Sequence, residues 1–336
     1  MTMQRIVCHA FGPPDTLTLE DAPWPSPGPG QVCVRIEATG LGFVDGLLIA
    51  GKYQIQPPLP YVPGSEFAGT VEALGEGVTD FEVGDRVYGL GQGALAEAAL
   101  APEVNLFPLP KGLPFSVGAS LPVNTFTALY GFEQCTQLSP GERVLILGGG
   151  GGVGTAAIAV AKALGAWVVA GASTDAKAEA ARRAGADATV NPRAPSFRED
   201  LKAVLQGAPL DVVYDPVGGP FSEPALRSLG PGGRLLVVGF ASGTIAKIPL
   251  NLTLLKRCSI VGVDWGGAMR ADASLNGHLA TRCAELLARD ALMPAPITAR
   301  PFEAYVKALE DQLAGAIAGK LVLTRDYTLE GFVSKA

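Results

Sequence analysis

The chain changes rhythm about a third of the way along. In the first part, short runs such as QVCVRIEAT, FAGTVEALG and DRVYGL are separated by turn-forming residues, and the first of them alternates apolar and polar positions. That period of two predicts half-buried strands, and their shortness predicts a compact β-rich, barrel-like domain. The Pro- and Gly-rich DAPWPSPGPG lies between two strand-like runs, TLTLED and QVCVRIEAT, so it reads as a rigid surface connection inside one domain. From about residue 123, apolar runs (RVLILG, WVVAGAS, DATVN, DVVYDP, RLLVVGF, SIVGVDW) take turns with helical segments such as GTAAIAVAKALGA, DAKAEAARRAGA and SFREDLKAVLQG. Apolar strands bounded by helices predict a doubly wound parallel sheet covered on both faces. Beyond about residue 263 come helices near LNGHLATRCAELLARDA and PFEAYVKALEDQLAG and a last strand, KLVLTRDY, read as returning to the first domain. The expected class is α/β: a discontinuous β-rich domain over 1–122 and 264–336, with a parallel-sheet domain over 123–263.

Size supports two domains, because 336 residues exceed what one hydrophobic core usually holds. A net charge of −6 without a long Lys/Arg cluster argues against nucleic acid as a partner. The start, MTMQRIVCHAFGPPD, lacks a charged segment followed by an apolar one, and no apolar run is long enough to span a bilayer; the expected location is the cytoplasm. Five widely spaced cysteines fit neither a disulfide framework nor a zinc knuckle, and His9 and His278 are the only imidazoles. Structural roles are expected for both histidines and most of the cysteines.

The chemistry concentrates in VLILGGGGGVG, residues 144–154. Gly149-x-Gly151-x-x-Gly154 follows a strand expected over 143–147 and opens a helix expected over 155–164, the context of a dinucleotide fingerprint. Glycine allows the sharp turn and lets main-chain N–H groups approach a pyrophosphate at the positive end of the helix; a side chain on Gly151 or Gly152 would take the ligand's place. Gly149, Gly151, Gly152 and Val153 are therefore candidate cofactor contacts. The next strand ends Gly-Ala-Ser173-Thr174 instead of in the acidic residue that takes ribose hydroxyls in NAD sites. Ser173 and Thr174 can donate to a 2′-phosphate and Lys177 can supply charge, which favours NADPH over NADH. Asp175 would invert that preference if it reached the ribose; capping the following helix is its ordinary role.

PGSEFAG (63–69), VGDRVYGL (83–90), GGVG (151–154), DVVYDPVGG (211–219), GGRLLVVGFASG (232–243) and GKLVLT (319–324) resemble the zinc-independent medium-chain dehydrogenases/reductases, in the quinone oxidoreductase branch with its zeta-crystallin-like members. The resemblance implies a GroES-like catalytic domain built from both chain ends, a Rossmann domain between, and a homodimer pairing Rossmann sheets edge to edge. Zinc-dependent relatives carry a catalytic Cys within the segment reading TGLGFVD here and a His before the Glu of GSE; neither is present, so no metal is expected. Without a metal Lewis acid, hydride addition to a quinone or to a conjugated C=C–C=O suits the site, because the product anion is delocalised and ordinary donors can hold it.

The resemblance further implies Tyr53 beside the nicotinamide, in the cleft between domains, as donor to the oxyanion; packing on Pro57 or Pro58 is the other reading. Asn124 and Thr127 would lie near the nicotinamide ribose, with helix capping as an alternative for Asn124. Phe240, Ala241 and Ser242 follow a strand at its carboxyl end, and Lys320 falls at a basic position near the cofactor, a solvated lysine being the alternative. Many relatives carry Asn where Gly42 stands, and Tyr where Pro192 stands, with Asn191 or Arg193 as possible substitutes. Asp45 is read as capping local backbone, and Trp265 as belonging to the dimer edge or the cleft wall. Two activities stay open, NADPH-dependent reduction of quinones and of activated C=C bonds (enone, enoyl or haloacrylate type), beside a non-catalytic NADPH-binding, crystallin-like role.

Overall fold

Residues 1–272 and 274–325 are described by the computed structural model. The described chain divides into two compact units, Met1–Val123 with residues 297–325, and Asn124–Pro296.

The first unit is built on a seven-stranded sheet. Its hydrogen-bonded order is Ile297–Pro301, Lys320–Thr324, Gln31–Leu41, Glu66–Leu74, Arg86–Leu90 and Leu106–Pro108, with Ala98–Pro102 also pairing with Gln31–Leu41. Gln31–Leu41 is the hub, since it pairs with Glu66–Leu74, Ala98–Pro102 and Lys320–Thr324. Val32, Val34, Ile36 and Ala38, on one parity, are buried, and so are Cys33 and residues 39–41 on or beyond the other, because this hub strand is covered by neighbours on more than one face. A hairpin of Thr2–Val7 and Thr18–Pro23 stands apart as a second sheet. DAPWPSPGPG bridges strands of this same unit, and Trp24 within it lies under the Arg35 guanidinium, 5.6 Å from ring centroid to Cζ.

The second unit carries six parallel strands: Arg143–Ile146, Trp167–Gly171, Ala188–Val190, Leu210–Asp215, Leu229–Val237 and Ser259–Gly262. Numbered along the chain within this sheet, their order is 3-2-1-4-5-6, the doubly wound order of dinucleotide-binding folds. Buried Leu145, Val169, Val213 and Leu235 join Phe197, Leu201 and Leu226 from the covering helices in one core. Parallel pairing sends every strand's carboxyl end to the same edge of the sheet, where ligands bind in such folds.

The boundary after the sheet differs from the sequence expectation. Residues 264–296 belong to the second unit, not to the β-rich domain. Trp265 packs edge-on against Phe126 with centroids 6.3 Å apart, and its indole N–H donates to Asn276 at 3.2 Å. Arg282 donates to Glu133 at 2.9 Å. These contacts anchor the helices Trp265–Ala271 and Leu275–Ala288 to the segment after residue 122. Trp265 is accordingly buried within the second unit rather than lying on an open edge.

Cys8, Cys33 and Cys283 are buried and none of the five cysteines forms a disulfide. His278 is exposed, and His9 is half-exposed beside Glu20. Among the described residues, no helix is long and apolar enough to cross a membrane.

Candidate active site

In the second unit the glycine run turns from strand to helix earlier than its composition suggests. The strand ends at Ile146 and the helix runs Gly152–Ala163 with Gly151 as N-cap. Glycine is tolerable there because N–H groups of a first turn have no intrahelical partner to lose. Four glycines have distinct steric reasons. A Cβ on Gly149 would lie 2.7 Å from Ala170 Cβ, and one on Gly154 2.2 Å from the Gly148 oxygen, so these two permit close packing of loop, helix and strand. A Cβ on Gly150 would lie 2.3 Å from Lys177 Cβ. Gly151 differs, for its Cβ would meet only Gly148 O, at 3.6 Å; its outer side is open. Gly152 and Val153 form the first turn of the helix, half-buried.

At the end of the second strand, Thr174 and not Asp175 caps the helix Asp175–Arg183, its Oγ1 accepting from Lys177 N at 3.3 Å. Asp175 is exposed in the first turn. Lys177 is half-buried, and desolvation together with the nearby Arg193 charge holds its ammonium below the ordinary lysine range. Among the described residues no carboxylate forms a salt bridge with Lys177 or Arg193. Asn191, after the third strand, turns the chain by accepting from Arg193 N at 3.0 Å.

Past the fifth strand, Phe240, Ala241 and Ser242 are exposed and tied to the loop after the fourth strand, with Ala241 N donating to Pro216 O and Ser242 N to Val217 O. The Asp of DVVYDPVGG explains that loop: Asp215 is buried and accepts from Val217 N, Gly218 N and Ser222 Oγ. Gly218 and Gly219 adopt φ of +69° and +63°, open only to glycine at little cost. Asn124 is the third residue of the helix Pro122–Leu129, buried, so it does not cap it, and Thr127 lies one turn further. Gly149, Gly151, Gly152, Val153, Ser173, Thr174, Lys177, Asn191, Phe240, Ala241 and Ser242 thus all follow strands at one edge of the parallel sheet.

The first unit holds the remaining candidates. Tyr53 is half-buried in the turn after the helix Phe43–Ile49, two residues past Gly51. Lys320 is not solvated: its side chain is 2% exposed and forms an ion pair with the equally buried Glu66, whose other oxygen accepts from Val123 N at 2.8 Å. Asp45 completes the cluster. It accepts from Gly42 N at 2.7 Å, the capping role expected of it, and from Ser65 Oγ at 3.3 Å. Burial, opposed by the Gly42 hydrogen bond and the Lys320 charge, pushes its acid up to about 6. The Asp45–Glu66–Lys320 grouping escaped sequence reasoning because its members are scattered along the chain; GSE and GKLVL were visible, their meeting was not.

Two family models match, an alcohol dehydrogenase GroES-like domain over residues 28–111 and a zinc-binding dehydrogenase over 152–278. The bovine quinone oxidoreductase-like protein 2 is 40% identical over 242 residues, 71% of this chain and 69% of its own length. The structure of Escherichia coli quinone oxidoreductase complexed with NADPH superposes with a TM-score of 0.85 at 27% identity, covering 96% of this chain and 99% of its own. CurK enoyl reductase gives 0.85 at 28% identity with the same coverage.

The zinc in the second model's description does not fit the donors present. Ser65 spends its hydroxyl on Asp45, Gly42 offers no side chain, and the Lys320 ammonium is held within the cluster. Among the described residues, no group of three or more His, Cys, Asp or Glu is placed to hold a metal ion. Both matched models, the shared length, the 3-2-1-4-5-6 sheet of one unit and the GroES-like match of the other lead to one conclusion: this chain belongs to the medium-chain dehydrogenase/reductase family, in its quinone oxidoreductase branch.

Proposed function

We infer that the protein is an NADPH-dependent, metal-independent oxidoreductase that reduces quinones. The observation that carries the reading is the pair of cations, Lys177 and Arg193, standing without carboxylate partners among the described residues at the strand end next to the glycine turn. Two unneutralised neighbouring charges favour a dianion, and a 2′-phosphate distinguishes NADPH from NADH. Ser173 would add a hydroxyl donor, and Thr174, whose Oγ1 accepts from Lys177 N as the helix cap, keeps its own O–H to donate. The open side of Gly151, with Gly149, Gly152 and Val153, would hold the pyrophosphate through main-chain N–H groups. Asn191 and Arg193 take the adenine side where Pro192 offers no aromatic ring. Phe240, Ala241 and Ser242 would border the nicotinamide half, with Asn124 and Thr127 at its ribose.

When bound, the dihydronicotinamide supplies a hydride to the acceptor. The chain's own residues then have to hold the negative charge that develops on the acceptor oxygen and to exclude water from it. Tyr53 would donate to that oxygen. Lys320 contributes a fixed ammonium, neutralised in part by Glu66, which is sufficient for the delocalised anion of a reduced quinone. The likeness to CurK enoyl reductase supports a second reading, reduction of a conjugated C=C, whose enolate needs the same stabilisation.

The protein would work as a homodimer in the cytoplasm. Ser259–Gly262 is the last strand of its sheet, paired on one side, and Leu250, Leu254 and Leu255 beside it are 78%, 77% and 69% exposed. An open strand edge flanked by apolar side chains suits a second copy of the same edge.

The test is turnover. Purified protein is given NADPH with 1,4-benzoquinone or 1,2-naphthoquinone, and separately with an enone or acrylate, and loss of NADPH absorbance is followed. Faster oxidation with quinones supports the first reading, and faster oxidation with alkenes the second. Tight NADPH binding without turnover on either panel overturns both in favour of a non-catalytic binding role.

A further inference from the structure

Pro122 opens the helix Pro122–Leu129, so the first main-chain N–H that this helix can offer is that of Val123. Glu66, 57 residues earlier, takes it, its Oε2 accepting at 2.8 Å. A carboxylate at this end of a helix is favoured by the helix dipole as well as by the hydrogen bond. The other oxygen, Oε1, pairs with Lys320, and Glu66, Lys320 and Val123 all belong to the first unit.

The arm that reaches Val123 is held firmly. Glu66 and Lys320 start the strands that flank Gln31–Leu41, in which Gly40 pairs with Glu66 on one side and with Val322 on the other. The Glu66 side chain crosses Gly40: a Cβ there would stand 2.8 Å from Glu66 Cγ and 2.9 Å from its Cδ, and nearer still to the Ala119 carbonyl oxygen. Gly40 keeps a strand backbone without positive φ, so what its position requires is the missing side chain. That gap admits both the carboxylate and the chain leading to Pro122. The Glu66 and Lys320 side chains are each 2% exposed, so water hardly competes for either oxygen.

We propose that Glu66 is a positioning residue of the reduction: through Val123 N–H it fixes the entrance of the helix Pro122–Leu129, and so sets where Asn124 and Thr127 meet the nicotinamide half of the coenzyme. This rests on the oxidoreductase reading above, which puts those two residues at the nicotinamide ribose. Asn124 directly follows the anchored residue and is buried; Thr127 comes one turn later. An entrance displaced by about 1 Å would carry both out of register with the nicotinamide, an error that can lower a rate by roughly a hundredfold.

Two pairs of substitutions separate the anchor from the charge. Glu66→Gln with Lys320→Met removes both charges and leaves an amide oxygen for Val123 N–H; Glu66→Leu with Lys320→Met removes the charges and the acceptor. With the quinone that the wild type reduces, the second pair should turn over at least tenfold more slowly than the first. 2′-Phospho-ADP-ribose, which carries the phosphates and lacks the nicotinamide, should bind both alike. NADPH should bind the second pair several-fold more weakly, and the fluorescence of its bound dihydronicotinamide should differ between the two. Should the second pair fold poorly, Glu66→Asp, which keeps a carboxylate for Lys320 on an arm one methylene shorter, should show the same slowed turnover with 2′-phospho-ADP-ribose binding unchanged. Equal turnover and equal fluorescence in the two pairs, or loss of 2′-phospho-ADP-ribose binding together with that of NADPH, overturns the proposal. If the wild type binds NADPH and reduces no acceptor, the oxidoreductase reading falls alone, and the fluorescence comparison decides the role of Glu66.

Discussion

The backbone of Gly150 rests on Lys177 so closely that a Cβ at position 150 would lie 2.5 Å from the Lys177 carbonyl oxygen. The nucleotide loop and the first turn of the helix Asp175–Arg183 are thereby locked together, and Lys177 is set beside the loop by a contact made through main chain.

Gly150→Ala should therefore act at a distance. The added methyl must push the helix Asp175–Arg183 away, at a cost of about 1–3 kcal/mol, and carry Lys177 with it. Denaturant unfolding should show the loss of stability, and the NADPH dissociation constant should rise more than the NADH constant.

Lys177→Ala should weaken NADPH binding by roughly tenfold or more, the worth of a charge-assisted contact, and leave NADH nearly unchanged. Arg193→Ala should do the same more weakly, because Arg193 is exposed. Calorimetry with both nucleotides decides the matter; an unaltered preference in both variants would remove the 2′-phosphate assignment.

Asp45 also predicts a stability profile. Its acid rises from 3.8 in the unfolded chain to about 6 in the folded one. A raised acid contributes stability that is complete below the unfolded value and lost as pH climbs through the folded value. The wild type should thus lose roughly 3 kcal/mol from this group between about pH 4 and pH 6. Asp45→Asn should gain on the wild type across that window and run parallel to it above, as read by urea unfolding at each pH.

Lys320→Met alone should cost about 3–5 kcal/mol, because Glu66 is left buried with its charge unpaired. Lys320→Met with Glu66→Gln should recover most of that loss. A single variant as stable as the wild type would show that the pair is not isolated from water.

Leu254→Glu, on the exposed face beside the edge strand, should shift a dimer toward monomer in light scattering without altering NADPH affinity.

Much of this architecture is legible in the residues themselves. Runs apolar on both faces, such as VLIL and DVVY, announce a parallel sheet, and the spacing of Gly149, Gly151 and Gly154 announces a nucleotide turn, because both rules are local. The helix start was misplaced by three residues, since glycine's low propensity hides a first turn that needs none of its N–H groups paired internally. Whether residues 264–296 joined one core or the other could not be read from periodicity, which shows that a helix has an apolar face but not what covers it; the Trp265–Phe126 and Arg282–Glu133 contacts decide it. Lys320 read as a surface or cofactor lysine for the same reason, its partner Glu66 lying 254 residues away.

That separation has an outcome in time. The ribosome releases Glu66 254 residues ahead of Lys320, so while all of that intervening chain is made the acid has no ammonium to settle against. Gln31–Leu41 likewise waits for Lys320–Thr324 to complete its sheet, whereas every strand of the second unit has emerged by Gly262. The unit made in between is thus free to fold first, and the β-rich one closes only once Lys320–Thr324 has been made.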